Sequence, residues 1–311
     1  MFHQRPEAIA YLNGRFVPQS EVRIPVYDAG FMLGATVSEQ LRTFAGKLFR
    51  LPEHLARLEE SLAIVGTPLP IARDELAGIA EELVARNHAL LPAGDDLGLS
   101  LFVTPGPYAT LAGPDVAPGP TLGLHTYPLP FPLWREKYEG GERLMTPQIR
   151  QVPAECWPAQ LKCRSRMHYY LADKEASRNY PGSRALLLDL AGHVLETSTA
   201  NILVYDRARG LRIPPARTVL PGISLAATLG LADALGVAVS EAPLTVADVE
   251  SADEVLLAST PYCLLPVTRI NGHAIGTGRP GDTYARLLAG WNTLSGLDVA
   301  EQARAVVVER R

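Results

Sequence analysis

The chain has 311 residues, 47% of them hydrophobic, enough apolar material for two separate cores or one large α/β unit. Its 29 basic and 33 acidic side chains leave a net charge of -4 and form no long like-charge block, which argues against nucleic acid or an anionic membrane as a partner. Three cysteines, Cys156, Cys163 and Cys263, lack CxxC pairing and accompanying histidine spacing, which argues against a disulfide framework or a zinc site and fits a reducing compartment. With no apolar h-region at the N-terminus and no uninterrupted apolar run near eighteen residues, a cytoplasmic protein is expected, with small molecules or copies of itself as partners.

In chain order, short apolar segments come first, over 8–12, 22–27 and 36–44, and Asn13-Gly14 after the first of them is a hairpin signal. The spacing of apolar residues then predicts a helix over 52–65, with Leu55, Leu58, Leu62 and Val65 on one face, and a second over 72–90. Strand-like 97–103 and 121–126 complete a first unit that mixes antiparallel strands and helices. Pro128, Pro130 and Pro132 at alternate positions cannot continue a helix or a central strand and mark a linker. The second half offers a helix over 166–179, dense strands over 185–213, a helix over 223–235, and then alternating strand and helix to a last helix over 282–294. The expected organisation is an α+β domain over 1–126, a linker over 127–140 and a second α+β domain over 141–311, with ligand chemistry at the domain junction.

The basic residues are 25 arginines against four lysines, Lys47, Lys137, Lys162 and Lys174. Arginine stays protonated, whereas a lysine amine can be deprotonated by burial or a neighbouring cation and can then attack a carbonyl carbon, so Schiff-base chemistry requires lysine. Lys47 in a turn-like Ala45-Gly46-Lys47, Lys137 in a charged run and Lys174 on a helix surface read as solvated charges. Lys162 alone lies at an irregular junction, Pro158 to Cys163, just ahead of a helix. The commonest Schiff-base partner of a lysine is pyridoxal phosphate, which also needs a phosphate cradle and an acid for its ring nitrogen. Leu220-Pro221-Gly222-Ile223-Ser224 opens a helix and suits a phosphate, as does Ser259-Thr260-Pro261 after a strand. Glu196, followed by the small polar run Thr197-Ser198-Thr199-Ala200-Asn201, is the candidate acid.

Taken together, these segments resemble the class IV aminotransferases, the fold-type IV pyridoxal-phosphate enzymes that include branched-chain and D-amino acid aminotransferases and aminodeoxychorismate lyase. Leu161-Lys162 with the downstream helix ending Glu175-Ala176, the Glu196-x-x-x-x-Asn201 signature and the Leu220-Pro221-Gly222-Ile223-Ser224 turn are similar in order and spacing to the family's motifs, over about Tyr11 to Trp291. The resemblance implies a D-amino acid aminotransferase-like architecture with a C-terminal pseudo-barrel, bound pyridoxal 5'-phosphate and a homodimer. It implies that Lys162 holds the cofactor and shuttles the substrate Cα proton, that Glu196 meets the ring nitrogen, and that Ile223, Ser224, Thr260 and Arg50 hold the phosphate.

Substrate recognition departs from the relatives. Ser38 replaces the tyrosine of the D-amino acid branch, the loop over 104–110 has neither its arginine nor its histidine, and 97–100 lacks the branched-chain enzymes' arginine. A substrate carboxylate still needs a cation or several N–H donors, and Arg42, Arg164 and Arg166 are the candidates. Met167 stands where the branched-chain family has the tyrosine that contacts the ring hydroxyl, leaving His168, Tyr169 or water as stand-ins. The expected activity is amino transfer between an amino acid or amine and a 2-keto acid, with an aminodeoxychorismate-lyase-like reaction or an idle cofactor-binding protein as alternatives.

Overall fold

A computed structural model of the chain describes residues 7–305. It divides into two compact units: the first takes the chain up to Leu129 and takes back Leu161–Ser165, and the second comprises Pro130–Gln160 and the chain from Arg166 onward.

The first unit is built on β1 (Ile9–Leu12), β2 (Arg15–Pro18), α1 (Ala29–Met32), β3 (Val37–Phe44), β4 (Lys47–Leu48), α2 (Leu51–Val65), α3 (Arg73–His88), β5 (Leu97–Thr104), α4 (Ala109–Ala112) and β6 (Thr121–Pro128). Its six strands run in the order β2-β1-β6-β5-β3-β4, all antiparallel. Asn13 and Gly14 take φ of 45° and 90°, the left-handed pair that closes a tight hairpin with the native strand twist. The segment over 22–27 forms no strand, only a loop after a short 3-10 turn at Gln19–Glu21. One face of the sheet carries Val37 and Leu41 of β3 with Leu99, Leu101 and Val103 of β5, and packs on Leu55, Leu58 and Leu62 of α2 and on α3. The period of two that places these residues inside also places Glu39 there, directly opposite Leu101.

The second unit contains α5 (Lys137–Gly140), β7 (Glu142–Met145), α6 (Met167–Asn179), β8 (Arg184–Leu188), β9 (Val194–Thr197), β10 (Asn201–Asp206), β11 (Gly210–Ile213), α7 (Ile223–Ala234), β12 (Val239–Glu241), α8 (Val246–Glu250), β13 (Glu254–Ser259), β14 (Cys263–Ile270), β15 (His273–Ala274), α9 (Asp282–Ser295) and α10 (Val299–Ala305). Strand and helix do not simply alternate after α7, because β13, β14 and β15 follow one another as antiparallel neighbours, and α10 extends the chain beyond α9. The strands β10-β13-β14-β7-β8-β9 form a ring that closes through the pairing of Glu196 in β9 with Asn201 in β10. Trp291 of α9 donates its indole N–H to Thr228 of α7 at 3.1 Å, so both helices share one buried seam. Lys137 is not a solvated charge: its Nζ donates to both carboxylate oxygens of buried Glu142, at 2.8 and 3.0 Å. Among the described residues no helix is long and apolar enough to cross a membrane.

Candidate active site

Lys162 belongs to the first unit. Two-residue β4 pairs only with Thr43 and Phe44, which leaves the other end of that β3 edge open. The segment with Lys162 occupies it: Ser38 donates its N–H to the Lys162 carbonyl at 3.0 Å, Arg164 donates its N–H to the Thr36 carbonyl at 2.8 Å, and Cys163 bridges Val37. On the other side the Lys162 N–H donates to Ser61 Oγ of α2 at 3.1 Å, and Leu161 packs into the core. The lysine backbone is thus clamped between a strand and a helix.

The buried face of α2 carries His54, Arg57 and Ser61 at helical spacing among its leucines. Glu39 of β3 meets this row. Arg57 grips it with Nε to Oε1 and Nη2 to Oε2, both at 2.8 Å, and His54 Nδ1 lies 2.8 Å from Oε2. Burial pushes the Glu39 carboxyl up, but the hydrogen bonds from Arg57 and His54 outweigh it and hold the group down at about 2. Glu39 is therefore an acceptor, so His54 carries its hydrogen on Nδ1. Burial depresses the His54 imidazole, the hydrogen bond to Glu39 opposes that, and the charges of Arg57 and Lys162 add to the depression. None of these three residues is a site candidate from sequence, where Glu53-His54-x-x-Arg57-Leu58 reads only as the helix that follows Arg50 in the resemblance.

The other face of the same strands is polar. Gln40 donates to Ser100 Oγ at 2.7 Å, Tyr127 donates to Gln40 Oε1 at 3.1 Å, and Arg164 Nη2 donates to Ser100 Oγ at 3.1 Å. Burial, and then the Arg164 charge, keep neighbouring His125 below its ordinary value. Arg42 sits about 13 Å further along β3 than Ser38 by strand rise, buried, with Nε on the Thr43 carbonyl and its guanidinium 4.1 Å from the Phe44 ring centroid. Arg50 precedes α2 in a left-handed conformation (φ 52°) and pairs with Glu53 at 3.4 Å.

In the second unit, Glu196 is buried and four donors converge on its carboxylate. Tyr169 donates to Oε1 at 2.9 Å, Gln151 Nε2 reaches Oε1 at 3.3 Å, and Asn201 Nδ2 and the Leu220 N–H each reach Oε2 at 3.3 Å. The Asn201 amide also donates to the Leu220 carbonyl at 2.9 Å, which couples the acid to the turn that opens α7. At that turn a Cβ on Gly222 would fall 2.0 Å from Asn201 Oδ1, so only glycine fits. Among the described residues no side chain caps the start of α7, where Ile223 and buried Ser224 provide the first N–H groups. Burial and the Glu196 charge push the Tyr169 phenol well above its ordinary value, so it remains a donor and its hydroxyl points to Glu196.

Arg166 Nη2 donates to the Ser198 carbonyl and its guanidinium lies 4.5 Å from the Tyr169 ring centroid. Arg184, a strand arginine with no sequence signal, donates to Thr199 Oγ1 and reaches the Tyr262 hydroxyl at 3.2 Å. Ser259, just before Thr260, donates to the Thr199 carbonyl at 2.6 Å. Of the residues expected from sequence, Glu196, Ser224 and Thr260 thus lie in one hydrogen-bonded neighbourhood or directly beside it, Arg164 lies on the polar sheet face two residues after Lys162, Arg42 shares that face but sits further along β3 against Thr43 and Phe44, and Arg50 lies at the start of α2. Met167 is solvent-exposed and His168 has a buried Nε2 without a partner among the described residues.

An uncapped helix start with a backbone approach only glycine allows, beside a buried carboxylate, fits a group carrying a phosphate and a basic ring nitrogen. No cluster of potential metal ligands occurs among the described residues.

A two-unit α+β chain with this ring and these polar networks has the architecture of the fold-type IV aminotransferases. An Escherichia coli branched-chain amino acid aminotransferase superposes with a TM-score of 0.85 at 23% identity, covering 93% of this chain and 95% of that chain. A branched-chain amino acid aminotransferase of T.th., solved with pyridoxamine 5'-phosphate, gives a TM-score of 0.83 at 27% identity over 94% and 96% of the two chains. A D-alanine aminotransferase of Bacillus licheniformis is 30% identical over 269 residues, 86% of this chain and 90% of that protein. The family described as Amino-transferase class IV matches residues 36–270, and the chain belongs to it.

Proposed function

We propose that the protein is a pyridoxal-phosphate-dependent aminotransferase that moves an amino group between an amino acid or amine and a 2-keto acid. The observation that carries this reading is the double hydrogen bond of the Asn201 amide, which joins the Glu196 carboxylate to the glycine turn of an uncapped helix. When bound, the cofactor supplies an aldehyde for a lysine Schiff base and a protonated ring that withdraws electrons from the substrate Cα.

In this reading Lys162 is the Schiff-base amine and the base that carries the Cα proton, its backbone held in place by Ser38 and Ser61. Glu196 meets the ring nitrogen with its orientation set by Tyr169, Gln151 and Asn201. The N–H groups of Ile223 and Ser224, with Thr260, hold the phosphate at the positive end of α7. The resemblance implies Arg50 in this role; Arg57 is the better assignment, because it is buried on the α2 face that also carries Ser61, the partner of the Lys162 N–H, whereas Arg50 pairs with Glu53 at a helix start. Arg164, held on Ser100, takes the substrate carboxylate in preference to buried Arg42, while Arg166 steadies the Ser198 carbonyl and the Tyr169 ring. We assign the protein as a homodimer by its family.

The test is reduction of the purified protein with borohydride followed by peptide mapping. A pyridoxyl group on Lys162, with a visible band that amino acids bleach and keto acids restore, supports the proposal. Label on another lysine, or a band indifferent to every amine, overturns it.

A further inference from the structure

His54 is a buried imidazole whose Nε2 has no hydrogen-bond partner among the described residues. Such a group is costly to leave unsatisfied and asks for an explanation. Its other nitrogen is committed, since Nδ1 donates to Glu39 Oε2 at 2.8 Å. Arg57 in turn occupies Glu39 through two bonds of 2.8 Å, which keeps the carboxylate from taking the imidazole hydrogen. The tautomer is thereby set, and Nε2 presents a lone pair. The charged and titratable groups that act on this imidazole are Glu39 from β3, Arg57 from its own helix and Lys162 from the segment docked on β3. Of these, Glu39 has no hydrogen to give and Arg57 is turned to Glu39 by two of its nitrogens. Lys162 is anchored to the same two elements, through Ser38, the neighbour of Glu39, and through Ser61, two turns along α2 from His54.

We propose that His54 is a positioning residue for Lys162, its neutral imidazole presenting Nε2 as the acceptor for a water that in turn accepts a hydrogen of the Lys162 side chain. The pair Glu39 and His54 then holds the amine in place, and favours its protonated form over the free amine. This rests on Lys162 as the reacting amine, but it concerns the lysine itself and is read without the cofactor.

The experiment is competitive acylation of the full chain, freed of aldehyde by hydroxylamine and dialysis, with Lys162 followed by mass spectrometry as a function of pH. His54→Asn keeps a donor for Glu39 at the Nδ1 position and removes the group at Nε2; His54→Gln keeps an acceptor at the Nε2 position. The apparent pKa of Lys162 is expected to fall by about one in His54→Asn, a tenfold loss of proton affinity, and to stay near wild type in His54→Gln. Equal profiles for wild type and His54→Asn, or an equal fall in both variants, overturn the proposal. Should the His54 variants not fold, Lys162→Met serves instead: the 15N resonance of His54 Nε2 must move, and an unmoved resonance overturns the proposal. Borohydride label on a different lysine would refute the assigned role of Lys162 while leaving these two readouts intact, so the two failures are distinct.

Discussion

Glu196 and Asn201 stand opposite each other in the pairing by which β9 meets β10, and the Asn201 amide donates to the Glu196 carboxylate at 3.3 Å. The second hydrogen of that amide goes to the Leu220 carbonyl at 2.9 Å, so the contact that closes the strand ring also ties the acid to the start of α7. Asn201→Leu removes both bonds from a buried site. It is expected to cost about 2–3 kcal/mol, from roughly 1 kcal/mol for the neutral bond and more for the one to a carboxylate. Urea unfolding measures the loss, and titration with pyridoxal phosphate should show weakened binding alongside it.

Tyr169→Phe leaves the ring and takes away the hydroxyl that donates to Glu196 at 2.9 Å and accepts from Gln151 at 2.7 Å. A hydrogen bond to a charged group contributes about 1.5–3 kcal/mol, so cofactor retention is expected to fall at least tenfold. Equilibrium dialysis against pyridoxal phosphate measures it; retention equal to wild type would mean that Gln151 and Asn201 orient the acid without Tyr169.

Gly222→Ala introduces a Cβ that meets Asn201 Oδ1 at 2.0 Å, and Asn201 is already held on two partners. The strain is expected to cost about 1–3 kcal/mol and to loosen the start of α7. Hydrogen exchange at the first turn of α7 and a thermal melt measure the two effects separately.

Acid should weaken the first unit in two windows. Both His54 and Glu39 have folded values below their ordinary ones, so the unfolded chain binds more protons and stability falls as pH falls. The His54 contribution is complete above 6.5 and is lost below it. The Glu39 contribution is complete above 4.5 and is lost on the way down to about 2, for an order of magnitude of about 3 kcal/mol. Urea midpoints between pH 8 and 3 trace both. Glu39→Gln should abolish the lower window and lower stability at pH 7 by about 3–5 kcal/mol, because Arg57 is left buried without its counter-charge.

Arg164→Met keeps the unbranched stem of the side chain and removes the guanidinium that reaches Ser100. If Arg164 takes the substrate carboxylate, KM for the keto acid should rise tenfold or more, since a charge-assisted bond contributes about 1.5–3 kcal/mol, while saturating substrate recovers most of kcat. Steady-state kinetics with a short and a long keto acid provide the measurement; an unchanged KM removes Arg164 from the assignment.

Local order along the chain was legible because it is written in period and punctuation. Leucine spacing marked α2 to within a residue at its start, Asn13-Gly14 marked a hairpin, and the order of Lys162, Glu196 and the Gly222 turn carried the resemblance to the class IV aminotransferases. Composition misled where an apolar run had no strand to pair with, as over 22–27, and where a charge had a buried partner, as Lys137 has in Glu142 five residues on.

What the sequence by itself determined is which residues are available for chemistry: one lysine at an irregular junction, one acid ahead of a small polar run, one glycine that opens a helix. Only the tertiary structure decided which neighbours those residues have. Glu39 reads as one more charge in a strand until β3 is laid against α2, when the period of two turns it into the core and His54 and Arg57 close on it. Asn201 reads as the end of a motif until ring closure sets it opposite Glu196. These contacts join residues far apart in the chain or across a strand boundary, and their energies depend on burial and on hydrogen-bond distance, neither of which is a property of a residue type.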